Sequence, residues 1–253
     1  MKKFSFLLTF LILTTSFCFA QSDSLKPKEK KGEKMTENEV TIKWLGHSMF
    51  LLNLDDKVKM VTDPFDKSVG YPIPDVSADI VLVSHRHFDH DNVKAVKGKP
   101  EVVEGVGEKT VKGVKIKGIA AAHDEKGGAL RGKDTIFVWE LGGIRFAHLG
   151  DLGAMLSEAQ IKEIGTIDVL FIPVGGFFTI DSGVATQVVS ALNPKVVIPM
   201  HYKTAVMGPS FPISSVDEFL KDKKNVQKVG KNSIVFSKEK LPKETTIFVL
   251  DYK

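Results

Sequence analysis

One cysteine, Cys18, occurs in the 253 residues, and it lies in an N-terminal segment that reads as removable. What remains has no thiol for a disulfide, for a nucleophilic cysteine or for a thiolate metal ligand. Any metal would have to be held by His, Asp or Glu. A strong charge bias is also missing. The 35 Lys and Arg against 31 Asp and Glu leave a net charge of +4, with no clustered basic stripe of the kind that nucleic-acid binders carry. No apolar run reaches the roughly 18 residues that favour a membrane span, and no short-period repeat is present.

The longest apolar run, Phe4 to Phe17, follows the basic start Met1-Lys2-Lys3 and precedes Cys18-Phe19-Ala20, which puts small residues where a signal peptidase reads them. The pattern predicts a signal peptide over residues 1–20, and so an exported protein, periplasmic or secreted, with no stable membrane span after cleavage. The alternative is a retained anchor. Loss of Lys2 and Lys3 takes the net charge from +4 to +2. Residues 21–38 are rich in Lys and Glu and nearly free of large apolar side chains, which reads as a charged flexible linker. Residues 39–253 are enough for one domain with a full core.

Within that domain, Thr41–Leu45, Met49–Leu54 and Val58–Thr62 read as a β-meander, followed by the Pro/Gly-rich stretch from Asp63 to Ala78. Asp79–Val83 is a buried strand. Asp91-Asn92 is placed to cap a short helix through Val96. Strands follow at Glu101–Glu104 and Val114–Ala122. A Gly-rich basic loop spans Asp124–Lys133. A tight Gly142-Gly143 turn joins Thr135–Leu141 to Ile144–Leu149. Ser157 and Gln160 form a capping-box pattern. Helices at Val184–Leu192 and Val216–Lys221 alternate with strands at Asp168–Val174, Lys195–Met200, Ile234–Phe236 and Thr246–Leu250. Two sheets with helices outside are expected.

The chemistry sits in Ser84-His85-Arg86-His87-Phe88-Asp89-His90-Asp91, directly after the strand that ends at Val83. Three imidazoles and a carboxylate in six residues exceed anything packing requires, and they suit borderline divalent metals. An extended segment would turn His85 and His87 to one side, while Asp89 and His90, being adjacent, would serve a second subsite. Further ligands should lie at other strand ends. His123 and His201 each follow an apolar strand, and Asp151 follows Gly150. His85, His87 and His123 would form one triad, Asp89, His90 and His201 the other, with the Asp151 carboxylate able to bridge them. His148 shares a strand face with Ile144 and Phe146, away from Asp151, and suits a supporting role. His47 follows a strand and a glycine, and could support the ligands or touch substrate.

These phrases carry a resemblance. His-x-His-x-Asp-His, a further His, Gly-Asp and a late His resemble the pattern of the metallo-β-lactamase fold superfamily, from Leu45-Gly46-His47-Ser48 to Pro199-Met200-His201-Tyr202. With Asp63-Pro64-Phe65, the chain is similar to the branch that includes L-ascorbate-6-phosphate lactonase and N-acyl-phosphatidylethanolamine phospholipase D. The resemblance implies an α/β fold, an αββα four-layer sandwich of two central mixed β-sheets with helices on the outer faces, and a dinuclear site at one edge. It leaves the substrate open. Arg86 and Lys203 depart from the small residues many relatives have there, and put charge near the rim.

The implied activity is that of an exported, metal-dependent hydrolase using two divalent ions, Zn²⁺ first and Mn²⁺, Fe²⁺ or Ni²⁺ as alternatives. Such a pair lowers the pKa of a water and holds the hydroxide against a small ester, lactone, amide or phosphodiester. Asp89 is the residue expected both to ligate and to handle the proton. The partner is a small-molecule substrate, not nucleic acid. The competing readings are a non-catalytic metal-binding protein of the same fold, a diiron redox protein, against which His87 argues, and a β-lactamase proper. The Gly/Pro loops Val174–Thr179 and Met207–Phe211 offer aromatics for a substrate wall, and Lys126, Arg131 and Lys133 offer contacts for an anion.

Overall fold

The strand that feeds the histidine cluster is buried on both faces: Ile80 and Leu82 enter one apolar cluster, Val81 and Val83 another. That is why it reads as an unbroken apolar run and not as an alternating one. The computed structural model describes Met1 and residues 38–252, so the expected signal peptide and nearly all of the linker lie outside the described residues. The elements below belong to the unit spanning Met35–Lys253.

The first half holds β1 (Val40–Gly46), β2 (Met49–Leu54), β3 (Val58–Thr62), β4 (Val76–Ser77), β5 (Ile80–Val83), β6 (Val96–Lys97) and β7 (Glu101–Glu104). The second holds β8 (Gly107–Val111), β9 (Val114–Ala122), β10 (Lys133–Leu141), β11 (Ile144–His148), α1 (Glu158–Ile164), β12 (Val169–Pro173), α2 (Ser182–Leu192), β13 (Val196–Met200), α3 (Val216–Leu220), β14 (Val226–Lys228), β15 (Ser233–Phe236) and β16 (Thr246–Val249). They build a six-stranded sheet ordered β15-β1-β2-β3-β5-β7, an eight-stranded sheet ordered β14-β16-β13-β12-β11-β10-β9-β8, and a two-stranded ribbon of β4 and β6. Both large sheets are mixed. The six-stranded sheet is antiparallel from β15 to β3 and parallel from β3 to β7. The eight-stranded sheet is antiparallel from β8 to β11 and parallel beyond.

Between the sheets lies the main core, where Trp139, Phe146 and Phe171 stack with centroids 5.4 and 6.3 Å apart beneath Phe50 and Leu52. Side chains of this size stabilise by about 1.5–3 kcal/mol each when fully buried. The Gly142-Gly143 turn has φ of 60° and 74°, the left-handed pair that a two-residue hairpin requires. Ser157 and Gln160 form the expected capping box on α1. The outer face of the six-stranded sheet is covered thinly, by 3₁₀ turns and loops that bring Phe65, Val69, Tyr71, Met207 and Ile213 against Val81 and Val83.

Two local expectations change. The helix expected after Asp91 is a 3₁₀ turn, Val93–Ala95, with no side-chain cap from Asn92, because Val96 and Lys97 leave it to pair with β4. The strand β8 had no apolar alternation to reveal it, since four of its five residues are exposed. It exists because its backbone pairs with β9.

Candidate metal centre

Six segments meet at one edge of the two sheets. The β1–β2 turn brings His47, and the end of β3 brings Asp63. The loop after β5 brings the histidine cluster, and the end of β9 brings His123. The Gly150-Asp151 step lies beyond β11, and His201 lies beyond β13. His47 and His201 sit in the left-handed region, with φ of 52° and 50°. Their positions are coupled, because the His201 amide donates to the His47 carbonyl at 3.3 Å. Strained conformations of this kind persist only where surrounding contacts fix them.

The segment from Ser84 to His90 is not extended. It runs as bends into a turn closed by the His90 and Asp91 amides, which donate to the His87 carbonyl at 2.9 and 3.0 Å. His85 and His87 still meet, edge to face at 4.5 Å between ring centroids, with His85 Nε2 3.0 Å from His87 Nδ1. The turn swings Asp89 and His90 toward a separate position. Strand alternation is therefore the wrong local reason for a grouping the structure nevertheless makes.

Three groups of ligand-type atoms form, each drawn within 4.8 Å: His85, His87 and His123; His47, Asp89, His90 and His201; and His85, His90 and Asp151. The first reproduces one predicted triad. The second contains the other and adds His47. Asp151 lies between them. Its Oδ2 is 3.2 Å from His123 Nε2, 3.3 Å from His201 Nε2 and 4.0 Å from His85 Nε2, and its Oδ1 is 3.2 Å from His90 Nε2. Only His87 and Asp89 of this set are appreciably open to solvent.

Two buried carboxylates of the site, Asp63 and Asp134, were not legible in the sequence as site residues. Asp63, at φ 38°, accepts from the Ser84 amide at 2.8 Å, the Ser84 hydroxyl at 2.7 Å and His90 Nδ1 at 2.9 Å. Asp63-Pro64 looks like an ordinary strand stop, so its inward aim was not legible. Asp134, at the start of β10, accepts from the Asp151 amide at 3.3 Å and stands 3.6 Å from His85 Nδ1. A lone acid opening an apolar strand was the only hint.

The charges are strongly coupled. Burial opposes ionisation of Asp151, but His201 and His90 outweigh it and hold the carboxyl well below its usual range. Burial likewise opposes charge on His90, and Asp151 and Asp89 overcome it, raising the imidazole. Asp63 stays low despite burial because His90 donates to it. Asp134 is pushed well up by burial and by the neighbouring Asp151 and Asp63. Asp89 is lowered, with His90 and the bond to His47 prevailing over desolvation. Burial brings His85 down to about 3 and His47 down to about 4, helped by His90 and His201 respectively. His85 and His47 are thereby held neutral, as metal ligation requires, whereas His90 is held protonated by its carboxylate neighbours and would give up that proton to a bound cation.

His148 supports the framework: its Nε2 donates to the Ser48 carbonyl at 3.1 Å and its Nδ1 accepts from the Gly150 amide at 3.2 Å. It thus ties the two sheets together behind Asp151. Arg86 pairs with Glu104. Lys203 donates to the Pro209 and Phe211 carbonyls at 2.6 and 2.9 Å, and so shapes that loop. Arg131 donates to the Phe177 carbonyl at 3.0 Å.

Whether the residues suit a metal can be tested on the buried atoms themselves. Among the described residues, His90 Nε2, Asp151 Oδ1, and both ring nitrogens of His201 are buried without a hydrogen bond of acceptable geometry, although the first two lie only 3.2 Å apart. Unpaired buried polar atoms are costly and rare. Several converging on one point fit a bound cation.

Comparison with known proteins agrees with the geometry. A family profile described as "Beta-lactamase superfamily domain" matches residues 41–201, and the chain belongs to the metallo-β-lactamase superfamily. It is a metal-dependent hydrolase. A UPF0173 metal-dependent hydrolase from Thermococcus kodakarensis is 31% identical over 193 residues, covering 65% of this chain and 85% of the relative. One from Thermus thermophilus is 33% identical over 191 residues, covering 65% and 84%. A crystal structure of a metallo-β-lactamase superfamily protein from Thermotoga maritima is 43% identical with a TM-score of 0.69, and the match covers 83% of this chain and 98% of that one.

Proposed function

We propose that the protein is an exported hydrolase with a dinuclear metal centre that acts on a small ester, lactone, amide or phosphodiester. His85, His87 and His123 would hold one ion, Asp89, His90 and His201 the second, and Asp151 would bridge them. The observation that carries this reading is the approach of four imidazole nitrogens, at 3.2–4.0 Å, to the single buried carboxylate of Asp151.

A pair of divalent ions, zinc first, would supply Lewis acidity for activating a water and polarising the scissile oxygen. The chain's own groups do the rest. His47 Nε2 lies 3.3 Å from Asp89 Oδ2 and fixes that oxygen. Asp89 Oδ1 is then left to take a proton from an attacking water. Asp63 holds His90 Nδ1, so Nε2 is the nitrogen presented to the centre. His87 and Asp89, the residues of the set that are partly open to solvent, mark the side from which substrate would approach, while the buried ligands lie away from bulk water.

Hydrolysis of a panel of ester, lactone, phosphodiester and β-lactam substrates by the purified protein, beside His87→Ala and Asp89→Ala, tests the proposal. Turnover of one bond class, lost in both variants, is expected. Turnover that survives both substitutions would refute it.

A further inference from the structure

The geometry points to an apolar substrate arm seated in the cavity between the Asp124–Lys133 loop and the Gly176–Ile180 segment, beside His123. This rests on the reading of the histidine–aspartate cluster as the hydrolytic centre, and narrows its substrate to one that carries an alkyl or aryl arm. The cavity measures about 510 Å³, within the range of small-ligand sites. It abuts the centre through the backbone. The Gly153 amide donates to the Ala122 carbonyl at 2.9 Å, and the Ile180 amide to the Leu152 carbonyl at 2.8 Å. Gly153 admits no side chain, since a Cβ there would stand 2.2 Å from the Asp124 amide nitrogen. The cavity floor is thus two residues from Asp151 and next to the His123–Asp124 peptide.

Its lining is unusual for exposed surface. Leu130, Met155 and Phe177 are 63%, 42% and 63% exposed, and all three face this one cavity. Scattered exposed apolar residues need no explanation, but a set gathered round a concavity marks a binding surface. The charges in the lining do not select an ion. Asp124 is occupied by four backbone amides, those of Lys126, Gly128, Leu130 and Arg131. Asp181 caps α2 by accepting from the Val184 amide. Arg131 is spent bracing the opposite wall, bonded to the Phe177 carbonyl and lying 5.7 Å over the Phe178 ring. Glu125 and Lys126 remain, one of each sign. Polar and apolar surface line the cavity about equally, but apart from Glu125 and Lys126 the charged groups are engaged within the protein, so the free contact is chiefly apolar, and Arg131 sets the distance between the walls.

Equilibrium binding of an n-alkanol series, butanol to octanol, to the full-length protein tests the pocket, with wild type beside Leu130→Asp and Phe177→Ala. Both positions are exposed, so the fold should tolerate them, and metal content and thermal midpoint check that it does. Wild-type affinity is expected to rise about fourfold per methylene, and each variant to flatten the series. A flat wild-type series, or one that the variants leave unchanged, would overturn the pocket. Hydrolysis of p-nitrophenyl acetate through octanoate by the same proteins separates the two ideas. A steep alkanol series without turnover supports the pocket and counts against an ester as the bond cleaved at the centre. Turnover indifferent to acyl length with a flat alkanol series condemns the pocket and leaves the hydrolase.

Discussion

Asp63 Oδ2 accepts from His90 Nδ1 at 2.9 Å, although 27 residues separate the two. The bond fixes both the tautomer and the ring plane of a histidine whose other nitrogen faces the candidate centre. Replacing Asp63 by Asn keeps the shape but can present an N–H to Nδ1 and invert the tautomer. Metal affinity, read by chelator competition, should fall about 10- to 100-fold, with the fold retained by circular dichroism. Unchanged affinity would mean that Asp63 serves only the Ser84 turn.

Gly153 and Gly127 separate steric need from backbone strain. An alanine at 153 would place its Cβ 2.2–2.5 Å from the His123 and Asp124 backbone, so Gly153→Ala should cost about 2–4 kcal/mol and loosen metal binding. Gly127 has φ of 68°, but a Cβ there would meet nothing within 4 Å, so Gly127→Ala should cost only about 1 kcal/mol. Urea denaturation of both variants measures the difference, and equal costs would contradict it.

Asp168 provides a pH test away from the metal centre. Burial opposes its ionisation, but Lys238 and the Arg145 amide prevail and hold the carboxyl below its usual range. A carboxyl lowered in the folded state contributes stability above its unfolded pKa of about 3.9, and loses it as pH falls through the folded value. Asp168→Asn should therefore destabilise by about 1–3 kcal/mol at neutral pH, with the gap to wild type closing progressively below about pH 4. A gap independent of pH would show that shape and not charge matters there.

Much of this centre was legible because metal ligation demands residue types that core packing does not. His85, His87, His90, His123, Asp151 and His201 all stood at strand ends, and all meet. The supporting groups were harder to see. Asp63 before Pro64 has the signature of a turn, and only the long-range approach of Ser84 and His90 gives it an inward role. His47 needed a left-handed turn to point inward. In the fold, β2, β3 and β9 announced themselves by apolar pattern and turn residues. β8 did not, because four of its side chains are exposed and only backbone pairing and the buried Val111 hold this edge strand. The first turn of α2 was hidden by Ser182 and Gly183, poor helix formers that Asp181 compensates by capping.

Metal content per chain, measured on wild type, His123→Ala and His201→Ala in parallel, tests the central claim most directly. Two subsites sharing Asp151 predict about two ions in the wild type and about one in each variant, since each substitution removes a ligand from a different group. One ion in the wild type, lost alike in both variants, would contradict a dinuclear centre, as would a content that His201→Ala leaves unchanged.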